Sequence, residues 1–274
     1  MAYKRILVIQ DISCVGQCSM TVALPILSAC GHETCILPTA VLSTHTGGFG
    51  KPAVFHLDAA VEPMCKHWQE NQIAFDAILV GYIGSVKGVE MVSGIVDRLL
   101  AEDGVLIVDP ALADHGKLYS GLDSAYVAAM EQLCCKADVI IPNITEAALF
   151  SGCHYRENLD ENYVNQVLKN LKCPCVILTG VGYQEGQTGV VLHTEKKQVH
   201  FAHKRIPKNY HGTGDMFAAC FTGAWLQTEN LEKSVEIAAK YVSKSIENTV
   251  NNPAHWYGVK FETALPDLIR MLDL

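Results

Sequence analysis

Five consecutive residues in the C-terminal part of the sequence have the types and the spacing that phosphoryl transfer requires. Residues 211–215 read His-Gly-Thr-Gly-Asp, and an apolar run, residues 216–219, follows them directly. Glycines just before a helix expose backbone N–H groups at its positive end, where an anion binds. An aspartate in the first turn can accept the proton of an attacking alcohol. The same pattern is also typical of a helix start whose aspartate interacts only with the helix dipole.

Further polar residues follow apolar runs, at the points where the sequence predicts that strands end. They lie at residues 11–16, 43–50, 81–82, 109–110, 143–146 and 179–180. Ligands of open α/β sheets bind beyond the carboxyl ends of the strands. We therefore expect these loops and residues 211–215 to line one site.

The spacing of apolar residues predicts strands that alternate with helices. Strands are predicted at residues 5–9, 35–41, 77–82, 105–109, 139–142 and 176–179, and helices at residues 21–29, 89–100, 124–134 and 163–171. Fully apolar strands in this alternation indicate a parallel sheet that is covered by helices on both faces.

The pattern changes after residue 179. Strands at residues 189–193 and 199–206 predict an antiparallel hairpin at one side of the sheet, and helices follow at residues 214–226, 231–248 and 263–272. No linker, low-complexity tract or internal repeat interrupts the sequence. We therefore predict an α/β fold in a single domain, residues 1–274.

The composition narrows the class of protein. The 274 residues are 49% hydrophobic and carry a formal net charge of −8 without a basic stripe, so nucleic acid is not an expected partner. No apolar stretch is long enough to cross a bilayer and the start has no signal-peptide pattern, which predicts a cytoplasmic protein without a membrane partner. The 11 cysteines lack zinc-site spacing and are expected to be reduced thiols.

Three common motifs are absent from the sequence. It contains no Gly-x-x-x-x-Gly-Lys-Ser/Thr loop, no Gly-x-Gly-x-x-Gly after the first predicted strand and no His-Glu-x-x-His. Their absence argues against a P-loop NTPase, a dinucleotide-binding dehydrogenase and a zinc protease of the His-Glu-x-x-His type.

Several segments resemble a known family, in the order in which they occur along the chain. Gly212-Thr213-Gly214-Asp215 resembles the signature of the ribokinase superfamily. The resemblance to the pyridoxal/pyridoxamine kinase branch of that superfamily covers about residues 5–250. The segments that carry it are residues 8–10 with Gly16, 42–47, 81–82, 109–110, 142–146 and 218–219. The resemblance therefore extends over most of the chain.

The resemblance implies a ribokinase-like three-layer sandwich, with a mostly parallel central sheet, helices on both faces and an antiparallel hairpin at one side. It implies a kinase that uses ATP to phosphorylate the 5'-hydroxymethyl group of pyridoxal, pyridoxamine or pyridoxine, in the salvage of pyridoxal phosphate. Mg²⁺ would be the cofactor, and the protein would be a homodimer.

By the same resemblance, Asp215 would be the general base that accepts the proton of the substrate hydroxyl group. The backbone of Gly212, Thr213 and Gly214 would stabilise the charge on the transferring phosphoryl group. An ordinary alcohol is too weak an acid to ionise in advance, so Asp215 would orient it and receive its proton late.

The resemblance also implies the residues that hold ATP and the metal ion. Asp109 and Glu146 would manage Mg²⁺, directly or through water. ATP would contact Asp109, Asn143, Thr179, Gly180 and Gly214, with a monovalent cation such as K⁺ near Thr179-Gly180. Residues 109–110 are also typical of a strand-end turn, and residues 143–146 of a helix cap with an acidic first turn. Residues 115–119 would form a flap over the phosphates, with Lys117 in solvent.

The substrate ring would lie against Asp11, His45, Thr46 and Tyr82, although a strand-end tyrosine can also pack its ring in a core. Many members of the branch have serine where this sequence has Asp11. An ionised carboxylate favours a cation, so we hypothesise that Asp11 shifts preference towards a protonated ring or the ammonium group of pyridoxamine. The alternative is that Asp11 caps the loop backbone.

Two other functions fit the pattern. A hydroxymethylpyrimidine kinase has a similar fold and a similar substrate, although residues 43–47 favour the vitamin B6 branch. A non-catalytic protein that binds or stores pyridoxal phosphate is the alternative from another class, and the presence of both Asp215 and Glu146 argues against it. No cysteine lies in residues 113–119, so the sequence supports no covalent role for a cysteine beside His211.

Overall fold

The computed structural model describes residues 2–208 and 210–274. Its strands are β1 (Arg5–Ser13), β2 (Glu33–Leu42), β3 (Val54–His56), β4 (Phe75–Val80), β5 (Leu100–Val108), β6 (Ala113–Asp114), β7 (Lys117–Leu118), β8 (Val139–Ile140), β9 (Cys175–Thr179), β10 (Gln187–Thr194) and β11 (Gln198–Lys204). Its helices are α1 (Met20–Ala29), α2 (Asp58–Glu70), α3 (Val86–Leu99), α4 (Ser124–Cys134), α5 (Ile144–Ser151), α6 (Glu161–Lys169), α7 (Thr213–Thr228), α8 (Leu231–Glu247) and α9 (Leu265–Met271). A 3₁₀ turn (Phe261–Ala264) precedes α9.

The central sheet has the spatial order β11-β10-β9-β8-β5-β4-β1-β2-β3. The strands from β9 to β2 in this order are parallel to one another, whereas β10, β11 and β3 run antiparallel to their neighbours. The predicted mostly parallel sheet with an antiparallel hairpin at one side is therefore confirmed.

Helices cover both faces of this sheet. Alternate residues of β1 point to opposite faces, so Ile6 and Val8 pack with α1, α7 and α8, whereas Leu7 and Ile9 pack with α2 to α6. Apolar surface removed from water stabilises such layers by about 25 cal/mol per Å². The predicted three-layer sandwich is confirmed. No helix within the described residues is both long enough and apolar enough to cross a membrane.

Some elements are not predicted by the sequence. All three residues of β3 are exposed, and α2 buries only Val61 and Cys65, so neither has the apolar periodicity on which the prediction depends. The β6–β7 hairpin has strands of two residues each. β5 begins at Leu100 rather than at residue 105, because its first residues, which include exposed Glu102 and Asp103, extend beyond the apolar core.

Candidate active site

The turn that precedes α7 presents the first N–H groups of that helix. Gly212 has φ 77°, a conformation that residues with a side chain rarely adopt, and a Cβ there would overlap the carbonyl oxygen of Gln17. The N–H groups that open a helix have no partner within it, and the helix dipole makes them attractive to an anion. The turn therefore has the geometry of the anion cradle that residues 212–214 predict.

Asp215 lies in the first turn of α7 and contacts the residue that precedes α1. Its Oδ2 accepts a hydrogen bond from the backbone N–H of Ser19 at 2.9 Å. Desolvation raises the pKa of Asp215 to about 6, the Ser19 hydrogen bond opposes that rise, and the nearby charge of Asp11 adds to it. A carboxylate with this pKa is mostly ionised at neutral pH and can accept a proton. The Ser19 N–H was not selected from the sequence, which has no signal for this contact.

A cleft of about 850 Å³ begins beside Asp215 and extends past the carboxyl ends of β5, β8 and β9. This volume is typical of a small-molecule site. The residues predicted to bind ATP and the metal ion all line it: Asp109, Asn143, Glu146, Thr179, Gly180 and residues 212–215. The structure thus brings these residues into one cavity.

The cleft also contains basic side chains that the sequence analysis does not select. Arg156, Lys204, Arg205 and Lys208 line it. Their charge suits the phosphate groups of a nucleotide. The short basic stretch at residues 203–208, just before the glycine turn, is the signal in the sequence that points to three of them.

Asp109 follows β5 and has a carboxylate oxygen on the side of the glycine turn. Its Oδ1 accepts the N–H of Ala111 at 3.3 Å, and its Oδ2 lies 3.8 Å from the position that a Cβ on Gly214 would occupy. Burial holds the pKa of Asp109 well above its usual range, and the charges of Glu146 and Asp215 add to this rise. A buried carboxylate without a strong donor is suited to a hard cation.

Glu146 is held by backbone N–H groups on both of its oxygens. Oε1 accepts from Leu112 at 2.9 Å and from Ala113 at 3.3 Å, and Oε2 accepts from Asn143 at 2.9 Å. Burial raises the pKa of Glu146 to about 7, although these bonds oppose the rise. With its oxygens occupied in this way, Glu146 has the geometry of a group that acts through water rather than as a direct ligand.

Asn143 begins α5 and also contacts the β6–β7 hairpin. Its Oδ1 accepts the N–H groups of Thr145 at 2.9 Å and Glu146 at 3.0 Å. Asn143 therefore caps the helix, as the alternative interpretation of residues 143–146 expects. Its Nδ2 donates to the carbonyl oxygen of Ala113 at 2.7 Å, and Thr145 Oγ1 accepts the N–H of Gly116 at 3.1 Å. The N-terminus of α5 therefore holds the hairpin at the rim of the cleft.

Thr179 and Gly180 end β9 at the wall of the cleft. The N–H of Thr179 donates to the carbonyl oxygen of Pro142 at 2.9 Å, and Gly180 has φ 76°. Within residues 2–208 and 210–274, no three His, Cys, Asp or Glu side chains are grouped so that they could hold a metal ion. Mg²⁺ usually binds through one or two carboxylates together with substrate phosphates, and Asp109 beside the glycine turn fits that pattern.

The residues predicted to contact the substrate do not line this cleft. Asp11 is buried, and its Oδ2 accepts the hydroxyl group of Ser13 at 3.0 Å. Tyr82 is half-buried, and burial raises its pKa, with a further contribution from the charge of Asp11. The charge of Asp11 therefore acts on both Tyr82 and Asp215, and contact of these side chains with a substrate stays a prediction.

His45 is buried and both of its ring nitrogens contact the backbone. Nδ1 accepts the N–H of Gly47 at 3.0 Å, and Nε2 lies 2.7 Å from the carbonyl oxygen of Tyr257. The ring is therefore the neutral tautomer that donates from Nε2. Both ring nitrogens are therefore occupied by backbone groups. The neighbouring Thr46 is exposed.

Aromatic side chains from two distant loops pack around His45. Phe49 lies 5.0 Å from His45, 4.7 Å from Trp256 and 5.9 Å from Tyr257, between ring centroids, and the ring of His211 lies 4.9 Å from that of His45. The sequence analysis does not select Phe49 or residues 256–257. Aromatic residues in a loop that contains Asn251, Asn252 and Pro253 were the available signal.

The parallel sheet, the glycine turn before α7 and the acidic cleft at the strand ends define a phosphotransferase of the ribokinase-like class. A family profile described as phosphomethylpyrimidine kinase matches residues 27–259. The chain therefore belongs to the family of ribokinase-like kinases that contains the phosphomethylpyrimidine kinases and the pyridoxal kinases.

The relatives include kinases of vitamin B6 and a kinase of hydroxymethylpyrimidine. The crystal structure of pyridoxal kinase from Lactobacillus plantarum is 34% identical to this chain with a TM-score of 0.90, and the match covers 98% of this chain and 97% of that one. A pyridoxine/pyridoxal/pyridoxamine kinase from Bordetella avium is 27% identical over 84% of this chain and 80% of its own length. A hydroxymethylpyrimidine/phosphomethylpyrimidine kinase from Bacillus subtilis is 27% identical over 64% of this chain and 65% of its own length.

Proposed function

We propose that this chain transfers the γ-phosphoryl group of ATP to the 5'-hydroxymethyl group of a vitamin B6 vitamer. The observation that carries the proposal is the position of Asp215. Its carboxylate lines the cleft of about 850 Å³, is held by the N–H of Ser19 at 2.9 Å, and is close enough to Asp11 for that charge to raise its pKa. The relatives that are named as kinases of pyridoxal, pyridoxine and pyridoxamine support this substrate class.

In this reaction Asp215 orients the hydroxymethyl group and accepts its proton while the new O–P bond forms and the bond to ADP breaks. The N–H of Ser19 holds the carboxylate in place for this transfer. The N–H groups at the start of α7 stabilise the negative charge on the phosphoryl group. Lys204, Arg205 and Lys208 bind the phosphates that remain on ADP.

Asp109 would hold Mg²⁺ beside the phosphates, and Glu146 would contribute through water. The ion would neutralise the charge that develops on the phosphate oxygens. A monovalent cation near Thr179-Gly180 and a homodimer remain predictions from the family resemblance, and a cytoplasmic location remains a prediction from the sequence pattern. The dependence of turnover on K⁺ and sedimentation of the purified protein would test the first two.

The decisive measurement is ADP release by the purified protein with MgATP and, separately, pyridoxal, pyridoxamine, pyridoxine and hydroxymethylpyrimidine. We expect turnover with the B6 vitamers. Asp215→Asn should reduce kcat by a factor of about 10² to 10⁴, because asparagine can still accept the Ser19 N–H but cannot take the proton. Asp103→Asn is the matched control, since Asp103 is exposed.

The other outcomes point to specific alternatives. Turnover with hydroxymethylpyrimidine alone would make the chain a kinase of the Bacillus subtilis type, which is the second candidate because that relative matches 64% of the chain. Tight binding of pyridoxal phosphate without turnover would indicate a binding or storage protein. Full activity in Asp215→Asn would refute the role of Asp215 as the base.

A further inference from the structure

The segment that leads into α1 contacts both parts of the phosphoryl-transfer site. The backbone N–H of Ser19 donates to Oδ2 of Asp215 at 2.9 Å. Two residues earlier, the carbonyl oxygen of Gln17 lies against Gly212, so close that a Cβ there would overlap it. Residues 17–19 therefore contact the proposed base and the glycine turn at the same time.

The backbone of Ser19 is strained. Its φ of 54° and ψ of −135° lie in a region that residues with a side chain rarely adopt. Such a conformation persists only where the surrounding contacts fix it. Residues 17–19 therefore depend on contacts with other parts of the chain to keep the Ser19 N–H directed at Asp215.

The side chain of Gln17 provides such a contact. Its Nε2 donates to both carboxylate oxygens of Glu262, at 2.8 and 3.0 Å. A carboxylate only accepts hydrogen bonds, so this contact determines which end of the amide faces Glu262. The amide oxygen Oε1 is buried and has no hydrogen-bond partner within residues 2–208 and 210–274. The two bonds to Glu262 therefore orient the side chain of Gln17.

Glu262 lies on a segment that is anchored in the core. Phe261 is buried, and its carbonyl oxygen accepts the hydroxyl group of Tyr241 in α8 at 3.1 Å. A Cβ on Gly258 would come within 2.7 Å of the Cβ of Gln17, so the backbone of this segment packs directly on that side chain. The carboxylate of Glu262 is exposed, but the backbone that carries it is held on both sides.

We infer that Gln17 and Glu262 are positioning residues for phosphoryl transfer, because their contact holds the loop that aligns Asp215 and the glycine turn. This inference rests on the proposed function and extends it to two residues that do not line the cleft. The base must lie within hydrogen-bond reach of the substrate hydroxyl group, so a small displacement of the loop slows the reaction. The contact between Gln17 and Glu262 therefore acts on kcat.

The test compares two substitutions of Glu262 by turnover with MgATP and the vitamer that the wild type uses best. Glu262→Gln keeps an acceptor oxygen for Gln17, whereas Glu262→Met has a similar length and no such oxygen. We expect kcat to fall by about fivefold or more in Glu262→Met, since displacing a catalytic group by about 1 Å can reduce the rate by roughly 10². In Glu262→Gln kcat should stay within about twofold of the wild-type value, because one hydrogen bond is kept.

Two controls separate positioning from binding and from general effects. KM for MgATP should not change in either variant, because neither Gln17 nor Glu262 lines the cleft. Glu90→Met, the same substitution at an exposed position of α3, should leave every value unchanged. A kcat of Glu262→Met within about twofold of the wild-type value, less than the effect of one hydrogen bond, would overturn the inference. An equal loss of kcat in Glu262→Gln and Glu262→Met would also overturn it.

A double-mutant cycle tests whether the two residues act through one contact. It adds Gln17→Met and the double variant Gln17→Met/Glu262→Met to the same assay. If both residues act through their mutual hydrogen bonds, the double variant loses no more kcat than either single variant does. Losses that multiply in the double variant would overturn the inference, because they would show that the two side chains act independently.

Hydrogen exchange of the Ser19 amide, measured by NMR, tests the position of the loop without the reaction. This amide should exchange faster in Glu262→Met than in the wild type, whereas the amide of Leu27, in the buried part of α1, should keep its rate. An unchanged rate at Ser19 would overturn the inference. Wild-type protein that is inactive with every vitamer and with hydroxymethylpyrimidine would instead overturn the proposed function, and the exchange rate would still show whether Glu262 holds the Ser19 contact.

Discussion

Asp215 carries the proton transfer of the proposed reaction, so its protonation state sets the pH range of activity. Desolvation raises its pKa to about 6, against the opposing hydrogen bond from Ser19. A protonated carboxyl group cannot accept the substrate proton, so kcat/KM should fall as the pH decreases through about 6, approaching tenfold per pH unit. A profile of kcat/KM against pH for pyridoxine, with saturating MgATP, measures this limb.

The same profile in Asp11→Asn provides a control at the residue scale. The charge of Asp11 raises the pKa of Asp215, so its removal should move the acidic limb to lower pH. A wild-type limb near the ordinary aspartate value of 3.8 would contradict the desolvation that the structure shows at this carboxylate.

At the scale of elements, the N-terminus of α5 supports the β6–β7 hairpin through Glu146. Glutamine at this position keeps the size of the side chain but replaces one acceptor oxygen by an NH₂ group, which would face a backbone N–H. Glu146→Gln should therefore destabilise the hairpin by about 1–3 kcal/mol. Hydrogen exchange of residues 111–119 should accelerate, most clearly for the amides of Leu112 and Ala113, whose bonds are 2.9 and 3.3 Å.

This exchange experiment is best done at pH 8, where Glu146, with a pKa raised to about 7 by burial, is ionised. Glu90→Gln is the matched control, because Glu90 is exposed on α3. Identical exchange in wild type and Glu146→Gln would show that the hairpin does not depend on these bonds. A rise in KM for ATP that accompanies faster exchange would connect the hairpin to nucleotide binding.

For the whole molecule, four buried carboxylates at the candidate site link stability to pH. Burial raises the pKa of Asp11, Asp109, Glu146 and Asp215. The folded protein keeps these protons to higher pH than the unfolded chain does. These carboxyl groups therefore contribute fully to the free energy of unfolding when the pH is below their pKa values in the unfolded chain. The contribution is lost as the pH rises through their higher pKa values in the folded protein.

Asp109→Asn isolates one part of this effect. Because the substitution removes a buried carboxylate, it should raise the Tm of the unliganded protein by about 2–6 °C at pH 7.5 and by less at pH 5. Thermal unfolding at the two pH values measures the difference. The lowered pKa values of His32 and His211 act with the opposite sign, but both proteins contain these residues, so their effect cancels.

The effect of MgATP on Tm can be measured with the same two proteins, the wild type and Asp109→Asn. A ligand that binds only the folded state raises Tm, so MgATP should stabilise the wild type. The gain should be smaller in Asp109→Asn, if Asp109 holds the metal ion. An equal rise of Tm with MgATP in both proteins would argue against a metal role for Asp109. A Tm of unliganded Asp109→Asn equal to that of the wild type would argue against ionisation of Asp109 in the cleft.

The sequence by itself was sufficient for the layered α/β fold and for the polar residues at the strand ends that line the cleft. Apolar strands and amphipathic helices are local patterns, and their alternation places all the parallel carboxyl ends at one edge. For that reason Asp109, Asn143 and Thr179 could be assigned to one site before any contact between them was known, and they line one cleft. The exposed β3 and the short β6–β7 hairpin have no such pattern and were missed.

Only the tertiary structure decided what each polar side chain contacts. The Ser19 N–H meets Asp215 across 196 positions of sequence, and His45 meets the carbonyl oxygen of Tyr257 across 212. These bonds determine that Asp215 is held in place and that both nitrogens of the His45 ring are occupied by backbone groups. The physical reason is that a backbone N–H or carbonyl group is the same in every residue, so the sequence carries no signal for which of them a distant side chain will meet.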